Sequence, residues 1–387
     1  MKKAIIIPCL IASLFAFGQE EPKDTIAVSV GGYADAYYAY YVGADKSALQ
    51  QHECIGAYHN NFGLNTAQVT AAIQSDRLRG VLTLHQGDIA SVAWSDNYRL
   101  VQEANAGIRL AKGLWFDVGY FKTHLGTESF LPKDNALSFI TLATFYGPFY
   151  QGGARLAYET EKELHIELHA INGYNLHIDN NEYKSFGLLV SRPFGDKLYL
   201  SYSNLLGQER VGALDDGYLV YQNAYANLTF DRLFVQLGVD VATADQWKTG
   251  QGWLDPLVAG LVTVKYNLTN DFAIAMRAEV FSDEQNINSF AYTPRVVPTW
   301  DFGSRSVNSI SGGMTVYGVT LGAEYAPSPY GFLRVEARQL YNPQAPLSKA
   351  PDGYDASVAG MNPMLTSRLQ LMATAGFYFD KTFKFAR

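Results

Sequence analysis

Charged side chains recur at every second residue along several apolar runs, and this spacing is the chain's first chemical signal. Glu103 and Arg109 alternate with Ala104, Ala106, Ile108 and Leu110. Asp117 sits between Phe116 and Val118, Arg155 between Ala154 and Leu156, and Glu167 between Ile166 and Leu168. Asp240, Arg277, Glu279, Glu324, Arg334, Glu336 and Arg338 hold the same kind of position further on. Period two gives a strand two unlike faces, so these groups share one face and the apolar residues the other. Charges of both signs on one face suit a wet passage that sorts solutes by charge and size. The competing outcome is an interior plugged by charges that pair with one another. Arg334, Glu336 and Arg338 share a face, as do Arg277 and Glu279, and read as basic and acidic walls near a constriction.

Catalytic and metal constellations are weaker. His165 and His169 would stand about 13 Å apart on a strand, too far to share one ion. Ser129 with His124 and Glu128 has the residue types of a lipase-like triad, but a triad is recognised by geometry, which spacing alone does not supply. No glycine-rich phosphate loop, zinc spacing or nucleophile elbow is present. No enzyme activity, metal or cofactor is expected.

The elements that must position the charges are strands. The clearest unit runs from Val101 to Tyr158: two alternating runs joined by Ala111-Lys112-Gly113, then a long loop, Thr123 to Gly147, then a third run from Tyr150. A tight turn at one end and a long loop at the other repeat along the chain. Short connections fall at Ser75-Asp76, Glu159 to Lys162, Pro193 to Asp196, Asp231, Asn267 to Asn270 and Pro327 to Tyr330. Long ones fall at Gly43 to Asn60, Gln86 to Tyr98, Asn172 to Glu182, Leu205 to Asp216, Ala242 to Asp255, Ser282 to Gly313 and Tyr341 to Met364. About sixteen strands with connections alternating between short and long predict an all-β fold: a closed antiparallel transmembrane β-barrel with short periplasmic turns and long outer loops.

Composition agrees. The chain holds 26 Tyr, 22 Phe and 34 Gly, with the aromatics within or at the ends of alternating runs, as barrel interface girdles require. Tyr37, Tyr38, Tyr40 and Tyr41 read as such a girdle, with a sugar-stacking platform as the alternative. Lys2 and Lys3, the apolar run Ala4 to Phe17 and the small-x-small site Ala16-Phe17-Gly18 predict a cleaved secretory leader over residues 1–18. A polar periplasmic segment, residues 19–25, and a barrel, residues 26–387, would follow. The net charge of −7 becomes −9 once Lys2 and Lys3 leave with the leader, and no basic run invites nucleic acid. Cys54 is then the lone cysteine, so no intrachain disulfide holds the fold.

Around the central unit the chain resembles the OmpL-like β-barrel porins of Gram-negative outer membranes. Trp115, Gly119 and Phe121 carry the resemblance, followed by His124-Leu125-Gly126-Thr127-Glu128-Ser129 with Pro132, Asp134 and Asn135. Pro148-Phe149-Tyr150, Gly153, Arg155 and Asn172-Gly173-Tyr174-Asn175 continue it, and Asn61 to Asn65 and Gln102-Glu103-Ala104 agree upstream. The likeness is firm from about Gly31 to Gly195. It implies passive diffusion of small hydrophilic solutes, with outer-membrane lipids and assembly machinery as partners, and it leaves association into homo-oligomers open. An adhesin or scaffold using the outer loops is the alternative reading. By analogy with general porins, the loop Thr123 to Gly147 would fold inward. It would set Glu128, Lys133 and Asp134 opposite Arg155 and Arg109 across the constriction.

Overall fold

The computed structural model describes residues 25–44, 50, 53–95, 98–211, 214–245, 252–285, 287, 314–343 and 367–386. The alternating runs form β1 (Thr25–Tyr41), β2 (Asn61–Gln74), β3 (Leu78–Gln86), β4 (Val101–Ala111), β5 (Leu114–Lys122), β6 (Tyr150–Glu159), β7 (His165–Ile171) and β8 (Ser185–Phe194). They continue as β9 (Leu198–Val211), β10 (Leu214–Phe230), β11 (Leu233–Asp245), β12 (Leu257–Asn267), β13 (Phe272–Asp283), β14 (Met314–Ser328), β15 (Gly331–Tyr341) and β16 (Ser367–Ala386). Each strand pairs antiparallel with its sequence neighbours, and β1 pairs with β16 from Thr25 opposite Ala386 to Tyr41 opposite Gln370. The sheet is therefore a closed sixteen-strand barrel. Closure satisfies every strand edge from within the sheet, as lipid demands.

The period-two faces separate as the sequence predicts. Leu78, Leu82 and Leu84 of β3 are exposed on the outside, while Thr83 and His85 are buried on the inside. On β13 the exposed Ile274 and Met276 alternate with buried Ala275, Arg277 and Glu279. The tyrosines of β1 divide the same way, which corrects the girdle reading: Tyr40 is exposed on the outside, but Tyr37 and Tyr41 are buried inside, where their hydroxyls donate to Asp88 and to the Gly56 carbonyl.

Three features differ from the sequence expectation. The loop expected at Leu205 to Asp216 is mostly strand, because β9 and β10 stay paired up to Val211 opposite Leu214, so strict alternation of long and short connections fails there. β1 begins at Thr25, a residue placed by sequence in the leading segment. Two of the long loops also carry short helices, α1 (Asp88–Ala93) and α2 (Leu142–Tyr146), with a 3-10 turn at Pro132–Asp134. The expected leader, residues 1–18, and most of the loop Ser282 to Gly313 lie outside the described residues.

Candidate pore interior

Inward side chains of many strands bond to one loop, residues 123–149, hereafter loop 3. Tyr33 of β1 accepts from the Lys133 amide at 3.2 Å, and Thr374 of β16 meets Ser138 at 3.0 Å, so loop 3 touches both sides of the β1–β16 seam. Asn223 of β10 and Gln236 of β11 reach Thr127 at 3.1 and 3.2 Å. On β13, Arg277 donates to Glu128 (2.7 Å) and to the Phe139 carbonyl (2.6 Å), and Glu279 accepts from the Leu142 amide (2.9 Å). On β15, Arg334 donates to the carbonyls of Pro132 and Asn135, and Glu336 accepts from the consecutive amides of Ser138 (2.5 Å) and Phe139 (3.0 Å). These partners are inward side chains on strands from β10 round to β1, which places loop 3 inside the barrel.

The wall is shaped for the loop. A Cβ added at Gly187 of β8 would lie 2.3 Å from His124, at Gly238 of β11 2.3 Å from Thr127, and at Gly322 of β14 2.5 Å from Leu137. Each glycine opens a notch that one loop side chain fills. Phe130, Leu131, Phe139, Ile140, Phe145 and Tyr146 are buried as well, in one apolar cluster. Loop 3 is not alone there. Cys54 and Ile55 of the loop after β1, and Ile89, Val92 and Trp94 in and after α1, belong to the same cluster. The burial of these apolar residues out of water is what draws the three loops together.

Charge pairing ties them to the wall. Arg368 and Arg338 both contact Glu53 of the first long loop, at 3.0 and 3.2 Å. Arg338 also reaches Glu279 (2.8 Å), Glu279 lies 3.6 Å from Arg277, and Arg277 reaches Glu128 (2.7 Å). Three guanidiniums and three carboxylates thus form a neutral buried chain from the first long loop to loop 3. Removing one member would strand a buried charge, typically at a cost of about 3–5 kcal/mol.

Several site expectations need correction. Glu128, Lys133 and Asp134 do not face Arg155 and Arg109. Glu128 pairs with Arg277, Lys133 with Asp134 (2.5 Å), and Arg155 with Asp117 (2.9 Å) and Glu167 (3.1 Å). The expected basic and acidic walls are not separate either. Arg334 pairs with Glu324 (2.7 Å) and Arg338 with Glu279, because β13, β14 and β15 bring opposite signs side by side. Asp117, Glu167, Asp240, Arg277, Glu279, Arg334, Glu336 and Arg338 are therefore buried rather than bathed in a channel. Water reaches the side chains of Glu103, Arg109, Lys133, Asp134 and His165, which retain 16, 31, 25, 35 and 25 % exposure. The sequence reading missed Glu53 and Arg368. The acid beside the apolar Cys54 and Ile55 in the first long loop was the available signal.

The residues that carried the family resemblance are structural braces. His124 stacks on His169 with centroids 4.1 Å apart, donates from Nε2 to the Asn204 carbonyl (2.8 Å) and lies 2.8 Å from the Gln151 side chain. Burial and the neighbouring His169 hold the His124 imidazole down to about 3, so it is neutral. Gly126 sits at φ 106°, in the left-handed region that glycine tolerates. The Asn135 side chain bonds both the amide and the carbonyl of Ser129. Ser129, His124 and Glu128 have separate partners and form no triad. His165 and His169 both bond Glu167, at 3.1 and 2.9 Å. Among the described residues no three His, Cys, Asp or Glu side chains gather to hold a metal.

A family model described as "Putative beta-barrel porin-2, OmpL-like" matches residues 27–379. No curated relative matches the chain. Among solved structures, an anion-selective porin from Comamonas acidovorans superposes with a TM-score of 0.60 at 11% identity, covering 92% of this chain and 100% of that one. OmpF of Salmonella typhi gives 0.58 at 13%, covering 91% and 97%. OmpT of Vibrio cholerae, in a trimer form, gives 0.56 at 12%, covering 91% and 99%. At these identities the likeness is one of fold.

Proposed function

Because the chain belongs to the OmpL-like β-barrel porin family, and is an outer-membrane porin, we propose that it passes small hydrophilic solutes by diffusion through a passage narrowed by its own loops. The observation that carries this is loop 3, bonded to inward side chains on β1, β10, β11, β13, β15 and β16. A sixteen-strand barrel is otherwise wide enough for an aqueous channel. Loop 3, α1 and the loop after β1 fill part of that width with apolar packing, so the passage follows the hydrated side chains that remain. Glu103, Arg109, Lys133, Asp134 and His165 line it in this reading, with Lys265 and Glu324 beside them. Export by the leader over residues 1–18 belongs to the same proposal. So does association into trimers, which the alanine-rich outer faces of β1, β2 and β16 (Ala36, Ala71, Ala373 and Ala375) would accommodate without bulk.

Purified protein in a planar bilayer tests the function. Discrete conductance steps of a narrow pore are expected. A folded barrel, shown by heat-modifiable migration on gels, that never conducts would overturn it. Chemical cross-linking of intact outer membranes tests the trimer.

A further inference from the structure

Inward guanidiniums on the described strands nearly all have carboxylate partners close by. Arg155, Arg277, Arg334, Arg338 and Arg368 each have one within 3.0 Å, and Arg79 forms a two-pronged pair with Asp117. Arg109 is different. Its nearest carboxylate is Asp76, 3.9 Å away in the exposed β2–β3 turn. Its buried Nε has no hydrogen-bond partner. Its guanidinium lies over the Trp115 ring, 5.0 Å from the centroid, while Arg79 lies 4.6 Å from the same ring.

These facts fix a geometry and a charge. Arg79, Arg109 and Arg155 line adjacent parts of the β3–β6 wall, and the buried carboxylates among them are Asp117 and Glu167. Two of the three cations are neutralised, and the surplus positive charge falls on Arg109. Stacking on Trp115 holds its planar fork in place, so little side-chain freedom is lost when a ligand arrives. Arg109 also lies two residues from the short turn after β4, and its amide bonds the Arg77 carbonyl in the neighbouring turn. The fork therefore stands near the periplasmic mouth, where its side chain keeps 31% exposure.

We propose that Arg109, positioned by Trp115, is a binding station for anionic solutes bearing a carboxylate or phosphate group at the periplasmic end of the lumen. Guanidinium matches such oxyanions with two parallel N–H···O bonds. Asp76 is the weak internal competitor that a solute displaces. The proposal rests on the porin reading above.

The test is inorganic phosphate added on the periplasmic side of single channels carrying chloride current. Phosphate should reduce the current of the wild-type channel in a saturable way. Arg109→Gln should raise the half-blocking concentration about tenfold or more, the loss expected for a charge-assisted bond, and shift the reversal potential toward cations. Trp115→Leu should weaken block while leaving the cation preference closer to wild type, as befits a positioning residue. Asp76→Asn, in an exposed turn that tolerates change, should lower the half-blocking concentration. If wild-type channels conduct but phosphate does not block them, or if Arg109→Gln and Asp76→Asn leave block unchanged, the station is refuted. If wild-type protein forms no channels, the porin reading fails first.

Discussion

Glu336 offers the sharpest test of what keeps loop 3 inside the barrel. Its carboxylate is almost fully buried and accepts from two successive loop amides, Ser138 at 2.5 Å and Phe139 at 3.0 Å. Replacement by Ala leaves both amides buried without an acceptor. A hydrogen bond to a charged group contributes about 1.5–3 kcal/mol, so the pair is worth about 3–6 kcal/mol to the docked state. Since about 1.4 kcal/mol is a factor of ten, the released state of this turn should become more populated by about a hundredfold or more. The assay is labelling of Ser138→Cys by a water-soluble thiol reagent, in a Cys9→Ala, Cys54→Ala background that removes both native thiols. Ser138 is fully buried, so labelling reports release. Glu336→Ala should speed labelling by about that factor and raise single-channel conductance, while Glu336→Gln, which keeps one acceptor oxygen, should fall between. Equal labelling rates and equal conductance in heat-modifiable, folded barrels would refute the claim that this carboxylate holds the loop.

Gly238→Val should force Thr127 out of its notch, where even a Cβ would sit 2.3 Å away, and destabilise loop 3 without stopping barrel assembly; trypsin sensitivity at Lys133 in folded protein reads this out. Deleting Phe130 to Ile140 removes the middle of loop 3, including buried Phe130, Leu131, Phe139 and Ile140, and should raise conductance and weaken ion selectivity; unchanged conductance in a folded deletion barrel would rule loop 3 out as the constriction. Asp88 supplies a pH dependence. Burial pushes its carboxyl from 3.8 up to about 6, with the Tyr37 hydroxyl bond at 2.5 Å opposing the rise. A raised acid contributes stability that is present below the unfolded value and is lost as pH rises through about 6, with a ceiling of about 3 kcal/mol. Urea unfolding in detergent between pH 4 and 7 should therefore show wild-type stability falling relative to Asp88→Asn, and parallel curves would show that the buried carboxyl has no such role.

The barrel was legible because period two survives wherever one face meets lipid. It failed at β9 and β10, whose ends pair beyond the point where alternation continues, so Gly207 and Glu209 read as loop. The facing of Asp117, Arg277 and Arg338 was legible from alternation on each strand. Their partners were not, because pairing depends on which strands become neighbours and on where loop backbone arrives. Glu336 shows the limit: both of its bonds go to main-chain amides, which leave no trace in residue type. Loop 3's entry had a sign in its apolar residues. Ile55, Ile89 and Trp94 offered the same sign in the first two long loops, and charge in their surroundings masked it.

The seam between β1 and β16 joins the first and last strands to be made, and loop 3 grips it from within through Tyr33 on one side and Thr374 on the other. The loop is thus a spoke set across the joint of a hoop. Because it also bonds β13 and β15, it can be seated on that wall before the ends meet and present both ends with a template for their register. A barrel without the spoke should still close, but its joint should open first under denaturant. Amide exchange should then run faster along Tyr33 to Tyr41 than along the β13–β14 pair, and equal protection in the deletion barrel would show that the joint holds by strand pairing alone.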